Sequence, residues 1–290
     1  MTIQKFQKTI LTWYRTNKRD LPWRNTKDPY RILVSEVMLQ QTQVARVIPK
    51  YREFLKAFPT VESLARTSDK KLLKTWAGLG YWRRALALKE AAKVIQKNYQ
   101  GKFPKDPTLL DTFPGIGPYT ARAVSCFAFG STEAFLDTNI RRVYLHFFFP
   151  KRKEVSDKEI LKIAQKTINE VRLRPSFRRD FGEIKEWHYA LFDYGATVLK
   201  NNRANHRSKH YTKQSKFEGS FRSYRTKVVN FLLSQKQNRA PQKTIEALLN
   251  ESPYPKEKII ASLLKDRLIK QSPPASQARA LRAGPPYYSL

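Results

Sequence analysis

At 290 residues the chain exceeds one ordinary domain, which predicts two or three compact units. Its 56 Lys and Arg against 24 Asp and Glu leave a net charge of +32, an excess that points to a polyanionic partner, nucleic acid before an anionic membrane surface. No apolar run of about 18 residues could span a bilayer and no N-terminal signal with a cleavage site is recognisable, so the reading is a soluble intracellular protein without a membrane partner.

Residues 3–14 place Ile3, Phe6, Ile10, Leu11, Trp13 and Tyr14 near one face of an amphipathic helix, which the loop Asp20-Leu21-Pro22-Trp23-Arg24 interrupts. Residues 30–50 read as one or two helices carrying Ser35-Glu36-Val37-Met38-Leu39-Gln40-Gln41-Thr42-Gln43. The helical pattern over 70–77 stops at Gly78-Leu79-Gly80, a turn that presents Tyr81 and Trp82 beside Arg83 and Arg84. Aromatics next to cations suit nucleic acid, and they also suit a core edge. A helix over 85–99 then leads to Phe113-Pro114-Gly115-Ile116-Gly117-Pro118-Tyr119-Thr120-Ala121. Two glycines at spacing two, with Pro118 at a first helical position, predict a tight hairpin opening onto a helix N-terminus whose backbone N–H groups suit a phosphate.

Residues 121–129 read as a buried helix that Gly130 ends, and Cys126 within it as a core residue. Further helices are predicted over 159–171 and 187–199, and no segment alternates with period two for long, so the fold class is all-α. A lone cysteine excludes a disulfide within the chain and a cysteine-ligated metal, and His146, His188, His206 and His210 have no zinc spacing with it. A metal-free, cofactor-free mechanism is expected. Between 201 and 227 eight Lys/Arg face one acid, Glu218, a balance of +7 that fits either a solvated linker or a phosphate-tracking segment. Short helical patterns over 224–233, 244–250 and 256–265, then Arg267-Leu268-Ile269-Lys270 as the start of a wing strand, resemble a winged helix. The Pro- and Ala-rich tail from Ser272 is expected to be flexible.

Two carboxylates in different environments can divide the work of acid catalysis, one giving a proton to a leaving group and the other facing a developing positive charge. Glu36 sits amid Ile32, Leu33, Val37, Met38 and Leu39, where burial would raise its pKa toward neutrality. Asp137, before Thr138-Asn139-Ile140-Arg141, suits a helix N-cap, which does not exclude catalysis.

Leu21-Pro22-Trp23-Arg24, the Ser35 to Val44 segment, Gly78-Leu79-Gly80-Tyr81, the 114–121 hairpin and Leu136-Asp137-Thr138-Asn139 together resemble the adenine DNA glycosylases of the helix-hairpin-helix superfamily. The resemblance covers roughly residues 1–199. It implies a helix-hairpin-helix glycosylase domain over 1–199, with a cap from 1–28 and 137–199 and a barrel from 29–136. A basic linker over 200–219, a winged-helix-like DNA-binding segment over 220–271 and a tail over 272–290 would follow. It implies Glu36 as general acid and Asp137 as the stabiliser of the sugar cation, supported by Tyr119 and Asn139. Leu21, Trp23, Arg24 and Tyr189 would receive the extruded adenine, and Gln41 and Tyr81 would wedge into the opened stack. Gly115, Gly117, Thr120, Arg203, Arg207 and Lys209 would contact DNA.

The expected activity is removal of adenine paired with 8-oxoguanine or guanine, without strand cleavage, by a monomer on double-stranded DNA in the nucleoid of a bacterial cytoplasm. Three departures stand out. The family's four iron-sulfur cysteines fall on Leu199, His206, Lys209 and Ser215, its C-terminal reader of oxidised guanine is not recognisable, and Tyr189 replaces the usual Glu or Gln. A glycosylase for thymine opposite guanine and a catalytically silent DNA-binding protein are the alternatives.

Overall fold

The computed structural model describes residues 1–181, 184–213, 215–272 and 286–290. Its helices are α1 (Ile3–Asn17), α2 (Pro29–Leu39), α3 (Val44–Ala57), α4 (Val61–Arg66), α5 (Asp69–Trp76), α6 (Arg83–Tyr99), α7 (Pro107–Leu110), α8 (Pro118–Phe129), α9 (Thr138–Phe148), α10 (Asp157–Leu173), α11 (Pro175–Phe181) and α12 (Ile184–Ala196). The chain is thus mostly helical, as its patterning predicts. Helices α2 to α8 pack among themselves, while α1 returns to α9, α10 and α12. That return is made of specific contacts: the buried Gln7 donates from Nε2 to the carbonyl of Thr167 (2.8 Å), and Tyr14 donates to Glu186 Oε2 (2.9 Å). Phe6 packs its ring against Tyr144, Phe147, Phe148 and Trp187 at centroid distances of 5.0 to 5.7 Å.

Local chemistry sets the helix starts that matter. Asp28 caps α2 by accepting from Tyr30 N, with Pro29 at the first helical position, and all of 32–38 is buried. The hairpin hands over to α8 at Pro118. Its Gly115 has φ +72°, and a Cβ there would lie 2.6 Å from Ala87 Cβ on α6, so both backbone conformation and space exclude a side chain. Phe113 and Ile116 anchor the hairpin in the core and leave Pro114 and Gly115 exposed.

Two expectations need correction. The segment over 200–219 is not simply a solvated linker: Arg203–Arg207 forms a 3-10 turn on α9 with Ala204 and Asn205 buried. Asn205 donates to the carbonyl of Thr138 (3.1 Å), Arg207 donates to the carbonyls of Leu145 and Pro150 (3.0 Å each), and Ser208 bridges Val155 in parallel register. The polar side chains that made the stretch look solvated are used on backbone acceptors at both ends of α9. The tail is the second correction. After α13 (Phe221–Ser234), β1 (Arg239–Pro241), α14 (Gln242–Leu248), α15 (Lys256–Lys265) and β2 (Lys270–Gln271), residues Tyr287–Ser289 return as β3. This strand lies between β1 and β2, antiparallel to both. Its Tyr288 is buried, which a β-prone aromatic pair permits and the surrounding Pro and Ala composition conceals. The rest of the expected tail, 273–285, lies outside the described residues. Among those described, no helix is long and apolar enough to cross a membrane.

Candidate active site

Glu36 on α2, Tyr119 on the first turn of α8 and Asp137 at the start of α9 converge on one cavity of about 510 Å³. Glu36 is only 5 % exposed and accepts a hydrogen bond from Tyr119 Oη at 2.8 Å. Burial pushes its carboxyl up to about 7; the tyrosine hydroxyl opposes that shift and the charge of Asp137 adds to it. Asp137 differs in its partners. As N-cap of α9 it accepts from Ile140 N at Oδ1 (2.6 Å) and from Asn139 Nδ2 at Oδ2 (2.9 Å). Burial raises its pKa as well, against these donors, which favour the charged form. The fold thereby gives one carboxyl a protonating environment and the other the N–H donors that an anion requires.

Asn139 is itself held by Arg142, whose Nη1 donates to its Oδ1 (3.2 Å) and to the carbonyl of Gly195 (2.7 Å). A Cβ on Gly195 would stand 2.5 Å from the Asn139 carbonyl oxygen, so α12 and α9 cross in backbone contact here.

The predicted base pocket lies in the same cavity. Leu21, Trp23, Arg24 and Tyr189 line it together with Phe192. The Arg24 guanidinium stacks 4.5 Å from the Tyr189 ring centre and donates from both Nη atoms to Asp193 (2.8 and 2.7 Å). Arg19 adds a third link to the fully buried Asp193 through Nε (2.6 Å).

Gln41 reaches the rim of the cavity, whereas Tyr81 lies on the separate turn after α5. Both occupy the left-handed region, at φ +55° and +48°, which costs a non-glycine residue on the order of 1–3 kcal/mol. Arg84 ties their loops together: it donates to the carbonyls of Val37 (2.9 Å), Met38 (3.0 Å) and Gln40, to Thr42 Oγ1 (3.1 Å), and to the carbonyls of Leu79 (3.2 Å) and Gly80 (3.3 Å). Burial lowers its pKa to about 10.

Outside the cavity, Gly115 and Gly117 sit on the hairpin, and Arg203 and Lys209 are exposed. Thr120 is corrected as a DNA contact, because its side chain is 2 % exposed and meets Gln40 Nε2 at 3.4 Å. Arg207 likewise spends its guanidinium on internal carbonyls.

A profile described as HhH-GPD superfamily base excision DNA repair protein matches residues 34–170, the stretch that holds Glu36, Tyr119 and Asp137. The solved structure of a thermostable thymine-DNA glycosylase is 30 % identical, with a TM-score of 0.58, over 69 % of this chain and 89 % of that one. The chain belongs to the HhH-GPD superfamily.

Among curated HhH-GPD relatives, the adenine DNA glycosylase of Buchnera aphidicola subsp. Baizongia pistaciae is 37 % identical over 204 residues, 70 % of this chain and 55 % of that protein. The adenine DNA glycosylase of Mycobacterium tuberculosis (strain ATCC 25618 / H37Rv) is 46 % identical over 135 residues, 46 % of this chain and 44 % of the relative. The chain spans about half the length of these curated relatives. An endonuclease III–DNA complex, at 19 % identity and TM-score 0.54, shares the fold.

The resemblance to adenine DNA glycosylases brings an iron-sulfur cluster into question, and the residues at the matching positions do not fit one. Leu199 is buried, His206 stacks on Tyr211 (4.4 Å), Lys209 and Ser215 are exposed, and none supplies a thiolate. The one cysteine, Cys126, is buried in α8 beside His188, where desolvation pushes its thiol up.

Several residues of this HhH-GPD site escape sequence reasoning: Asp193, Arg84, Arg142 and Gly195. For Asp193 a signal existed, since an acid on the apolar face of residues 187–196 must find a partner. The others act mostly on backbone atoms, which leave no trace in residue type.

Proposed function

We propose that the chain is a monofunctional adenine DNA glycosylase of base excision repair, acting as a monomer on double-stranded DNA and removing adenine paired with 8-oxoguanine or guanine. The observation that carries this reading is the pairing of a buried, proton-holding Glu36 with the helix-capping Asp137 in one cavity.

With the nucleotide extruded into that cavity, the base lies between the Arg24–Tyr189 stack and Trp23, and Glu36 donates its proton to a ring nitrogen of the purine. The electron pair of the glycosidic bond leaves with the base, and the Asp137 carboxylate faces the positive charge that grows on the sugar. Water then adds to the sugar carbon and returns a proton, giving free adenine and an abasic site. The hairpin carries Tyr119 where an amine would be needed to form a Schiff base, so the strand stays intact. No step uses a metal or an iron-sulfur cluster.

Duplexes with one adenine opposite 8-oxoguanine, one adenine opposite guanine, and one thymine opposite guanine test the reading. Alkali-labile sites are expected at adenine only, with no covalent complex trapped by borohydride. Release of thymine instead would favour the second reading, which the 30 % identical thymine-DNA glycosylase supports. No release from any duplex would leave a DNA-binding protein.

The exposed cations after the catalytic body should add affinity rather than chemistry. Neutralising Arg203, Lys209 and Lys213, while sparing the internally bonded Arg207, is expected to weaken matched and mismatched duplexes alike. The slope of log K against log salt should flatten by roughly 0.9 for each phosphate no longer neutralised. An unchanged slope would make the stretch inert toward DNA.

A further inference from the structure

The turn carrying Tyr81 is built from the catalytic body but finished by the C-terminal unit. On its body side, the Arg84 guanidinium stands 5.2 Å from the Tyr81 ring centre and donates to the carbonyls of Leu79 and Gly80. On the other side Arg222, from the first turn of α13, stands 5.1 Å from the same ring and donates from Nη1 to the Tyr81 hydroxyl.

Arg222 is in turn locked in place. Its Nη2 donates to the carbonyl of Ser215 (3.0 Å), and the Phe217 ring lies 5.6 Å away. One helical turn on, Arg225 pairs with Asp266, which also receives Arg83 of α6 (3.4 Å). Arg83 and Arg225 thus meet at one carboxylate, which links α13 to α6 beside the Arg222–Tyr81 contact. Arginine suits the task because its flat guanidinium can lie near a ring and donate in a fixed direction at once.

We infer that Arg222 is a positioning residue for Tyr81, through which engagement of a mismatch depends on the C-terminal unit. This rests on the reading that Tyr81 enters the opened base stack. A tyrosine on a left-handed turn gains from being fixed before it meets DNA, because rotamer freedom given up beforehand is not given up again on binding. The basic charge of the C-terminal unit alone would not require this contact, since a phosphate-binding surface has no need to touch the Tyr81 hydroxyl.

A double-mutant cycle tests the inference without removing the ring. Tyr81→Phe deletes only the hydroxyl that Arg222 holds, and Arg222→Ala deletes the guanidinium. Each single variant is expected to raise the half-saturating concentration of the 8-oxoguanine–adenine duplex by about tenfold, within the range for contacting residues, and the double variant by no more than either one. Binding to fully matched duplex should stay as in the parent.

Additive losses would overturn the inference, as would equal weakening on matched DNA, which marks a plain phosphate contact. A normal half-saturation in Tyr81→Phe would overturn it even if Arg222→Ala failed to fold. Tyr81→Ala separates the two levels. If it leaves mismatch discrimination intact, the reading of Tyr81 as a wedge fails; if it destroys discrimination while the cycle shows no coupling, only the role of Arg222 fails.

Discussion

Glu36→Gln is expected to abolish base release, a loss of at least about 10²–10⁴-fold, while duplex binding persists. Glutamine keeps the shape of the side chain and can still accept from Tyr119, but it has no proton to give. The same burial fixes the pH dependence. Because the carboxyl titrates near 7 instead of at its ordinary value, the acid form is half present at neutrality, and the single-turnover rate should fall about tenfold per pH unit above that point. Stability should fall in the same direction, with rising pH, but over a lower range. A carboxyl whose pKa is raised on folding favours the fold fully only below its unfolded value, and that contribution disappears as pH rises from about 4.5 to about 7. Above neutrality Glu36 is therefore an ionised group in an apolar site, costing on the order of 3 kcal/mol, and Glu36→Gln should melt later than the parent at pH 8. Near-parental single-turnover rates, or an alkaline limb that survives the substitution, would refute the assignment.

Asp193→Ala should cost about 3–5 kcal/mol of stability, read from denaturant midpoints at unchanged slope. The fully buried carboxylate answers Arg24, itself 6 % exposed, and Arg19, which is partly solvated and adds less. Deleting it leaves a guanidinium in the core with its two strongest acceptors gone. Arg24 would then no longer be held over Tyr189, and the surviving folded fraction should bind substrate poorly. Adding Arg24→Met to Asp193→Ala removes the stranded charge, so stability should largely return while substrate binding does not. A single-variant loss below about 1 kcal/mol would mean that the ion pair is dispensable.

The parts of this site that were legible in the sequence are those written in local chemistry. Glu36 stands out as an acid inside an apolar helix, Asp137 as a cap before a helix, and Pro118 after two glycines as the entry to another. Partners distant in the chain were not legible. Asp193 meets Arg24 across 169 positions, and nothing near either residue names the other. Arg84 serves mostly carbonyl acceptors, which every residue possesses, so its place beneath the Gln41 and Tyr81 loops emerges only in three dimensions. The 3-10 turn at 203–207 and the strand at 287–289 share the same cause, because short segments acquire their structure from what they pack against.

The return of α1 to α9, α10 and α12 has a kinetic side. Gln7 meets Thr167 and Tyr14 meets Glu186 across 160 and 172 positions, whereas α2–α8 close on one another through shorter separations, the Tyr119–Glu36 contact spanning 83. Loops of that length form slowly, so the α2–α8 half should acquire structure first and the seam along α1 last. During synthesis the apolar face of Phe6, Ile10 and Tyr14 is covered only in part by α9, and fully only once α12 (Ile184–Ala196) has been made. Substitutions at Phe6 should therefore speed unfolding and leave the folding rate nearly untouched, the signature of contacts absent from the transition state.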